Sequence, residues 1–210
     1  MKSSLTWMQD YVDVDMNQDM QAFADKLTIA GIPVEQVEYW GTEVKKVKTG
    51  KILQIDKHPD ADKLVVCQVD MGDEQLQIVT AATNVRVGQI VPVAVHGAHL
   101  PGGTKIKRSK LRGVLSNGMF CSAHEFGFDD SLLLPEEREG IWILPPDTPL
   151  GVDAADYLQV RDVVYEYELT ANRADCFSMV GLSREFAVLS GKEARYPDIS
   201  VKECDTPIDG

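Results

Sequence analysis

Between Thr104 and Arg112 the chain reads Thr-Lys-Ile-Lys-Arg-Ser-Lys-Leu-Arg, five cations with no acid among them. Ammonium and guanidinium groups at this density suit phosphate oxygens, which they neutralise while counterions are released. In one continuous strand the side chains alternate between faces, so Lys105 and Lys107 would point one way and Arg108, Lys110 and Arg112 the other. A bulge or turn in the middle would bring them together. The competing reading is a solvated edge strand, guarded by lysine against pairing with another chain.

Two further constellations have the composition of metal sites. Asp56-x-His58-x-Asp60-x-Asp62 alternates acids as a calcium loop does, yet Ala61 stands at the sixth place where such a loop needs Gly, and Cys67 at the twelfth where it needs Glu. His58-Pro59 reads instead as the end of a strand, with Asp60 and Asp62 bonding local amides in the turn. His96-x-x-His99 and Cys121-x-x-His124 hold four residues of the kinds zinc takes. No metal is assigned to either set. Cysteines 67, 121, 176 and 204 are scattered, with no Cys-x-x-Cys spacing, and read as small buried thiols rather than a disulfide framework. No Ser/His/Asp, Cys/His or paired-carboxylate arrangement stands out and no glycine-rich loop would cradle a phosphate, so no catalytic residue is assigned.

The net charge of −12 argues at first against a nucleic-acid partner. The acid, however, lies in the flanks: residues 1–42 carry a net −5 and residues 152–210 a net −6, while 43–151 carry only −1. Between Gly41 and Met119 there is no Phe, Tyr or Trp, hence no platform on which unpaired bases would stack. Binding there would run through phosphates, riboses and shape, as for a folded RNA. With 44% hydrophobic residues over a length of 210, the chain can build one or two globular cores. No run approaches the roughly 18 apolar residues of a membrane span, and the opening ten residues lack a signal core, so a soluble cytoplasmic protein is expected.

Several elements must position the cations. Short β-branched runs recur at spacings of about 8 to 12 residues, separated by Gly, Pro, Asn and Asp, as in a small barrel. The strands read as 48–56, 64–71, 76–81, 90–95 and 105–111, with 119–122 closing the set, and Ile52, Ile55, Val66 and Val69 facing a core. Before them, Leu5, Met8 and Val12 recur at helical spacing, a second helix runs through Met20, Phe23, Ala24 and Leu27 to Gly31, and Val34 to Trp40 alternates as a strand. After them, Val163 to Leu169 alternates as a strand, Asp175 reads as a helix cap, and Met179, Leu182, Phe186 and Leu189 form an apolar stripe ending at Gly191. The fold class is α+β: a five-stranded oligonucleotide-binding (OB-fold) β-barrel over 42–151, inserted into a discontinuous domain of 1–41 and 152–192, with 193–210 starting a further domain.

His58-Pro-Asp-Ala-Asp-Lys-Leu64, Ile78-Val-Thr-Ala-Ala-Thr-Asn-Val85 and Ser116-Asn-Gly-Met119 resemble the tRNA-binding barrel of several aminoacyl-tRNA synthetases and free-standing tRNA-binding proteins. Met1 to Val12 and Glu168 to Ala187 resemble the amino-terminal part of bacterial phenylalanyl-tRNA synthetase β subunits, with Ala174 standing where that family usually has Pro. The resemblance implies a tRNA-contacting surface bordered by Lys63, Asn84, Ser116 and Met119 and joined by Lys105, Lys107, Arg108, Lys110 and Arg112. It also sets His96, His99, Cys121 and His124 at ordinary strand and loop positions. It implies tRNA, in particular tRNA(Phe), as partner, and an α subunit in a hetero-tetramer of two α and two β chains. Neither DNA nor a membrane is expected. ATP and Mg would serve the full enzyme and not these residues, which read as an excised amino-terminal part without chemistry of its own. The alternatives are a free-standing tRNA-binding protein and a subunit-assembly module without RNA binding. Asn172, Arg173 and Asp175 read as a cap and salt-bridge network, with contact to another domain as the other possibility.

Overall fold

The computed structural model describes residues 1–202, so Cys204 and the last eight residues of the 193–210 segment lie outside the described residues. In chain order the elements are β1 (Lys2–Ser4), α1 (Leu5–Met8), α2 (Met20–Ile29), β2 (Val34–Trp40), β3 (Lys45–Lys57), β4 (Val65–Asp70), β5 (Gln75–Thr80), β6 (Ile90–Leu100), β7 (Thr104–Lys105), β8 (Ser109–Leu111), β9 (Val114–Ser116), β10 (Gly118–Phe120), α3 (Ala154–Tyr157), β11 (Asp162–Tyr167) and α4 (Met179–Ser190). The architecture is α+β with antiparallel sheets, in two compact units: residues 1–39 with the chain from Asp162 onward, and Trp40–Arg161.

In the first unit a three-stranded sheet, β1-β11-β2, carries α2 and α4. Asp19 caps α2 by accepting from the Gln21 and Ala22 amides, and Gly31, at φ +92°, follows the stop at Ala30. Met20, Phe23, Ala24 and Leu27 bury one stripe of α2 against Met179, Leu182 and Phe186 of α4, the Phe23 and Phe186 rings lying 5.2 Å apart. The first helix is shorter than its apolar spacing predicts, ending at Met8. Val12 still reaches the core, its amide bonding the Met8 carbonyl at 3.0 Å. Ser178, not Asp175, caps α4, accepting from the Gly181 amide. Asp175 falls instead in a 3-10 stretch, Ala171–Cys176, where its carboxylate faces the Arg173 guanidinium. Arg173 also donates to Glu185 and to the Cys176 sulfur, so a guanidinium already fills the space between Asp175, Cys176 and Glu185. That cluster does not suit a magnesium ion.

In the second unit the sheet runs β10-β6-β3-β4-β5, with β7 added to β6. Thirteen-residue β3 is shared, pairing β6 along Lys45–Lys51 and β4 along Lys51–Lys57. Such sharing requires strong coiling, supplied by bulges at Lys45/Val47 and Ile52/Gln54 and by Lys46 at φ +58°. Gly50 sits at the bend, where a Cβ would come within 2.7 Å of the Met71 sulfur. Ile52, Cys67, Val69, Ile78, Val91 and Phe120 fill the interior. Cys67 rather than Val66 keeps step with Val69; Val66 lies on the other face of β4, buried there beside Val79 of β5. Among the described residues no ladder joins β10 to β5, and the sheet stays open. One backbone bond, from the Asn117 amide to the Gln77 carbonyl at 2.8 Å, spans that gap.

Residues 152–161 pack with the second unit. The Thr49 amide donates to the Val152 carbonyl, Asp153 caps α3, and Arg161 reaches Asp153, Asp156 and the Val44 carbonyl. Burial pushes the thiols of Cys67 and Cys176 up to about 11 and that of Cys121 up to about 12, so all three are protonated at neutral pH. Among the described residues no helix is long and apolar enough to cross a membrane.

Candidate nucleic-acid interface

The five-cation run is not one strand. After β6, Pro101 and two glycines at positive φ, Gly102 and Gly103, turn the chain back along β6, where Lys105 pairs with His99. Ile106 continues that pairing, accepting from the Gly97 amide and donating to the Ala98 carbonyl. The chain then leaves β6: the Arg108 amide donates to Nδ1 of His96 at 3.2 Å. Beyond it Ser109–Leu111 pairs with Val114–Ser116 as a separate hairpin. Its two connecting residues, Arg112 at φ +45° and Gly113 at φ +86°, both lie in the left-handed region, the backbone a tight hairpin turn requires. A residue other than glycine is uncommon there, and Arg112 holds that conformation at the hairpin tip.

The break means that strict alternation does not run through the five cations, and Arg108 and Arg112 line separate depressions. Lys105 pairs with β6, Lys107 and Arg108 lie in the link between the two, and Lys110 and Arg112 belong to the hairpin, whose pairing sets Lys110 opposite Leu115. All five are exposed. Lys63, also exposed, stands in the turn between β3 and β4, where it lines one open depression of about 430 Å³ with Arg112, Asp60 and Asp62. Among the described residues none of these six cations is held in an ion pair, which is true also of Lys45, Lys46, Lys51 and Lys57 in β3, whereas Lys2, Lys48, Arg161, Arg173 and Arg195 are paired. Cations left to solvent are available to an outside anion.

The hairpin is tethered to the free edge of β5. The buried Ser116 hydroxyl accepts from the Val79 amide at 3.0 Å and donates to the Gly118 carbonyl at 2.8 Å, and the Gln77 side chain donates to the Leu115 carbonyl. Those bonds occupy an edge that would otherwise pair with another chain. Asn84 is likewise engaged: its amide nitrogen donates to the Ile141 carbonyl at 2.9 Å and its oxygen accepts from the Ile141 amide at 3.0 Å. Met119 is half-buried in β10 opposite Ala94. The nine residues therefore divide into six exposed cations, on a turn, a short strand, a link and a hairpin, and three side chains engaged by the fold, Ser116 and Met119 in strands and Asn84 in the loop after β5.

One contributor escaped the sequence reading. His58 is 5% exposed; its Nδ1 accepts from the Asp60 amide at 3.1 Å and its Nε2 donates to the Leu111 carbonyl at 3.0 Å. The only local signal for the hairpin was Gly113, since arginine is not a residue that turns select. Of the four residues with zinc-like chemistry, His96 binds the Arg108 amide, His124 binds the Phe128 and Arg138 carbonyls, and Cys121 is buried.

Residues 47–153 match the family model described as "Putative tRNA binding domain". Among curated proteins, the phenylalanine–tRNA ligase beta subunit of Moorella thermoacetica is 52% identical over 197 residues, a span of 94% of this chain and 24% of that protein. Its counterpart from Syntrophus aciditrophicus is 45% identical over 203 residues, 97% of this chain and 24% of that protein. The Clostridium acetobutylicum subunit is 46% identical over 204 residues, 97% of this chain and 25% of that protein. The chain spans about a quarter of the length of the curated relatives it matches. Since the matched residues include every strand from β4 to β10, and with them the hairpin that bears the cations, the chain belongs to the tRNA-binding-domain family.

Proposed function

We propose that the chain is the tRNA-binding and positioning region of a phenylalanine–tRNA ligase beta subunit, holding tRNA(Phe) while another part of the enzyme attaches phenylalanine. The observation that carries this reading is the set of six exposed cations, Lys63, Lys105, Lys107, Arg108, Lys110 and Arg112, free of ion pairs among the described residues on an otherwise acidic chain. Asn84, Ser116 and Met119 shape the sheet beneath them. In this reading the second unit is an OB-fold barrel of five strands, for which the Asn117–Gln77 bond across the open side is the support. The first unit, made of residues 1–39 and the described chain from Asp162 onward, is the discontinuous domain into which the barrel is inserted. ATP, Mg and phenylalanine belong to the active site of an α subunit, within an assembly of two α and two β chains in the cytoplasm.

No aromatic residue lies between Gly41 and Met119, so the cations would grip a backbone already arranged in space. Competition between folded tRNA and a poly(U) strand of equal length for the labelled chain tests this. Folded tRNA is expected to win by about ten-fold or more, the worth of one or two phosphate contacts in the right geometry. Equal competition by poly(U), or binding of neither, would overturn the reading.

A further inference from the structure

We infer that His58 is a positioning residue for the cationic surface, fixing the hairpin β8–β9 and the turn after β3 in one relative arrangement. This rests on the tRNA-binding reading and adds to it the side chain that sets the spacing of Lys63 and Arg112. His58 closes β3 and the hairpin follows 53 residues later, yet the buried ring touches both the Leu111 carbonyl and the Asp60 amide. Leu111 directly precedes Arg112, and Asp60 stands three residues before Lys63. One imidazole thus joins the backbones that carry two cations lining the same depression.

The bonds specify the ring. Nδ1 accepts, so the proton is on Nε2, which donates to Leu111. The bond to the hairpin needs a donor at the Nε2 position, and the bond within the turn an acceptor nearer the Cβ. Glutamine retains the donor at the Nε2 position, whereas asparagine retains only the near acceptor and falls short of Leu111. The hairpin needs such a brace on this side. Arg112 holds an uncommon left-handed conformation, and the strands that flank it have three residues each. Ser116 and Gln77 hold the end of the hairpin nearer β5, and His58 holds the end nearer the tip.

The test uses the full 210-residue chain with His58→Gln and His58→Asn, reading amide hydrogen exchange over residues 109–116 and tRNA affinity across salt. His58→Asn is expected to speed exchange in the hairpin at least about ten-fold while α2 and α4 exchange at wild-type rates. It is also expected to lower tRNA affinity about five- to thirty-fold and to flatten the salt dependence by one to two phosphates. His58→Gln is expected to restore hairpin exchange and the salt dependence. Wild-type exchange in His58→Asn overturns the inference, as does faster exchange with unchanged salt dependence. If the wild-type chain binds no tRNA, the functional reading fails by itself, and hairpin exchange still decides whether His58 is the brace.

Discussion

Alanine in place of Lys105, Lys107, Arg108, Lys110 and Arg112 together lowers tRNA affinity about a thousand-fold at 0.15 M salt. Each phosphate contact contributes about 0.7 to 0.9 of a log unit in affinity per log unit of salt, so five lost contacts remove roughly three log units at that concentration. The fold should survive, because all five side chains are exposed and none takes part in an ion pair among the described residues. Arg112→Ala keeps one side chain in the left-handed turn and changes stability by no more than about 1 kcal/mol. Fluorescence anisotropy with labelled tRNA, alongside a urea melt, measures both. The edge-guard reading of these cations makes the opposite forecast: unchanged affinity and a variant that self-associates. The two forecasts separate cleanly, since β8, with Lys110, has only β9 as a ladder partner among the described residues.

Gly118→Ala is the second large effect, and it acts on stability. Gly118 pairs with Val95 where β10 crosses β6, and a Cβ there would lie 2.4 Å from the Ala94 carbonyl oxygen, a backbone atom that cannot swing aside. The strands must separate or the Ser116–Gly118 bond must break. Either should cost at least about 3 kcal/mol, the upper range for overpacking in a well-packed core. Urea unfolding of the variant reads this directly. A loss below about 1 kcal/mol with a marked fall in tRNA affinity would instead make the Ser-Asn-Gly-Met motif a contact surface.

Elements with strict periodicity were legible from the residues alone. Met20, Phe23, Ala24 and Leu27 announce α2 because the pattern reports a single buried face, whereas β2 is found at Val34–Trp40 with only Val34 and Val37 packed on the core and Tyr39 exposed. Legibility failed where long-range partners decide the outcome. Nothing near Ile106 signals that the chain exchanges β6 for a hairpin; the exchange depends on His96, Ser116 and Gln77. The helix cap is Ser178 rather than Asp175 because α4 starts only at Met179, and Asp175 lies in the preceding 3-10 stretch, where Arg173 holds its carboxylate. Spacing likewise cannot show that both amide atoms of Asn84 are taken by Ile141, 57 residues away, or that His58 reaches Leu111. The cations themselves were plain in the sequence, while their freedom from partners was visible only in the fold.

The measurement closest to the central claim is the affinity of the unmodified chain for tRNA between about 50 and 300 mM salt, plotted as logarithms. Five or six cations on phosphate give a slope between about −3.5 and −5.4. Absence of binding at the lowest salt, or a slope near zero, would contradict a surface that holds tRNA through these side chains.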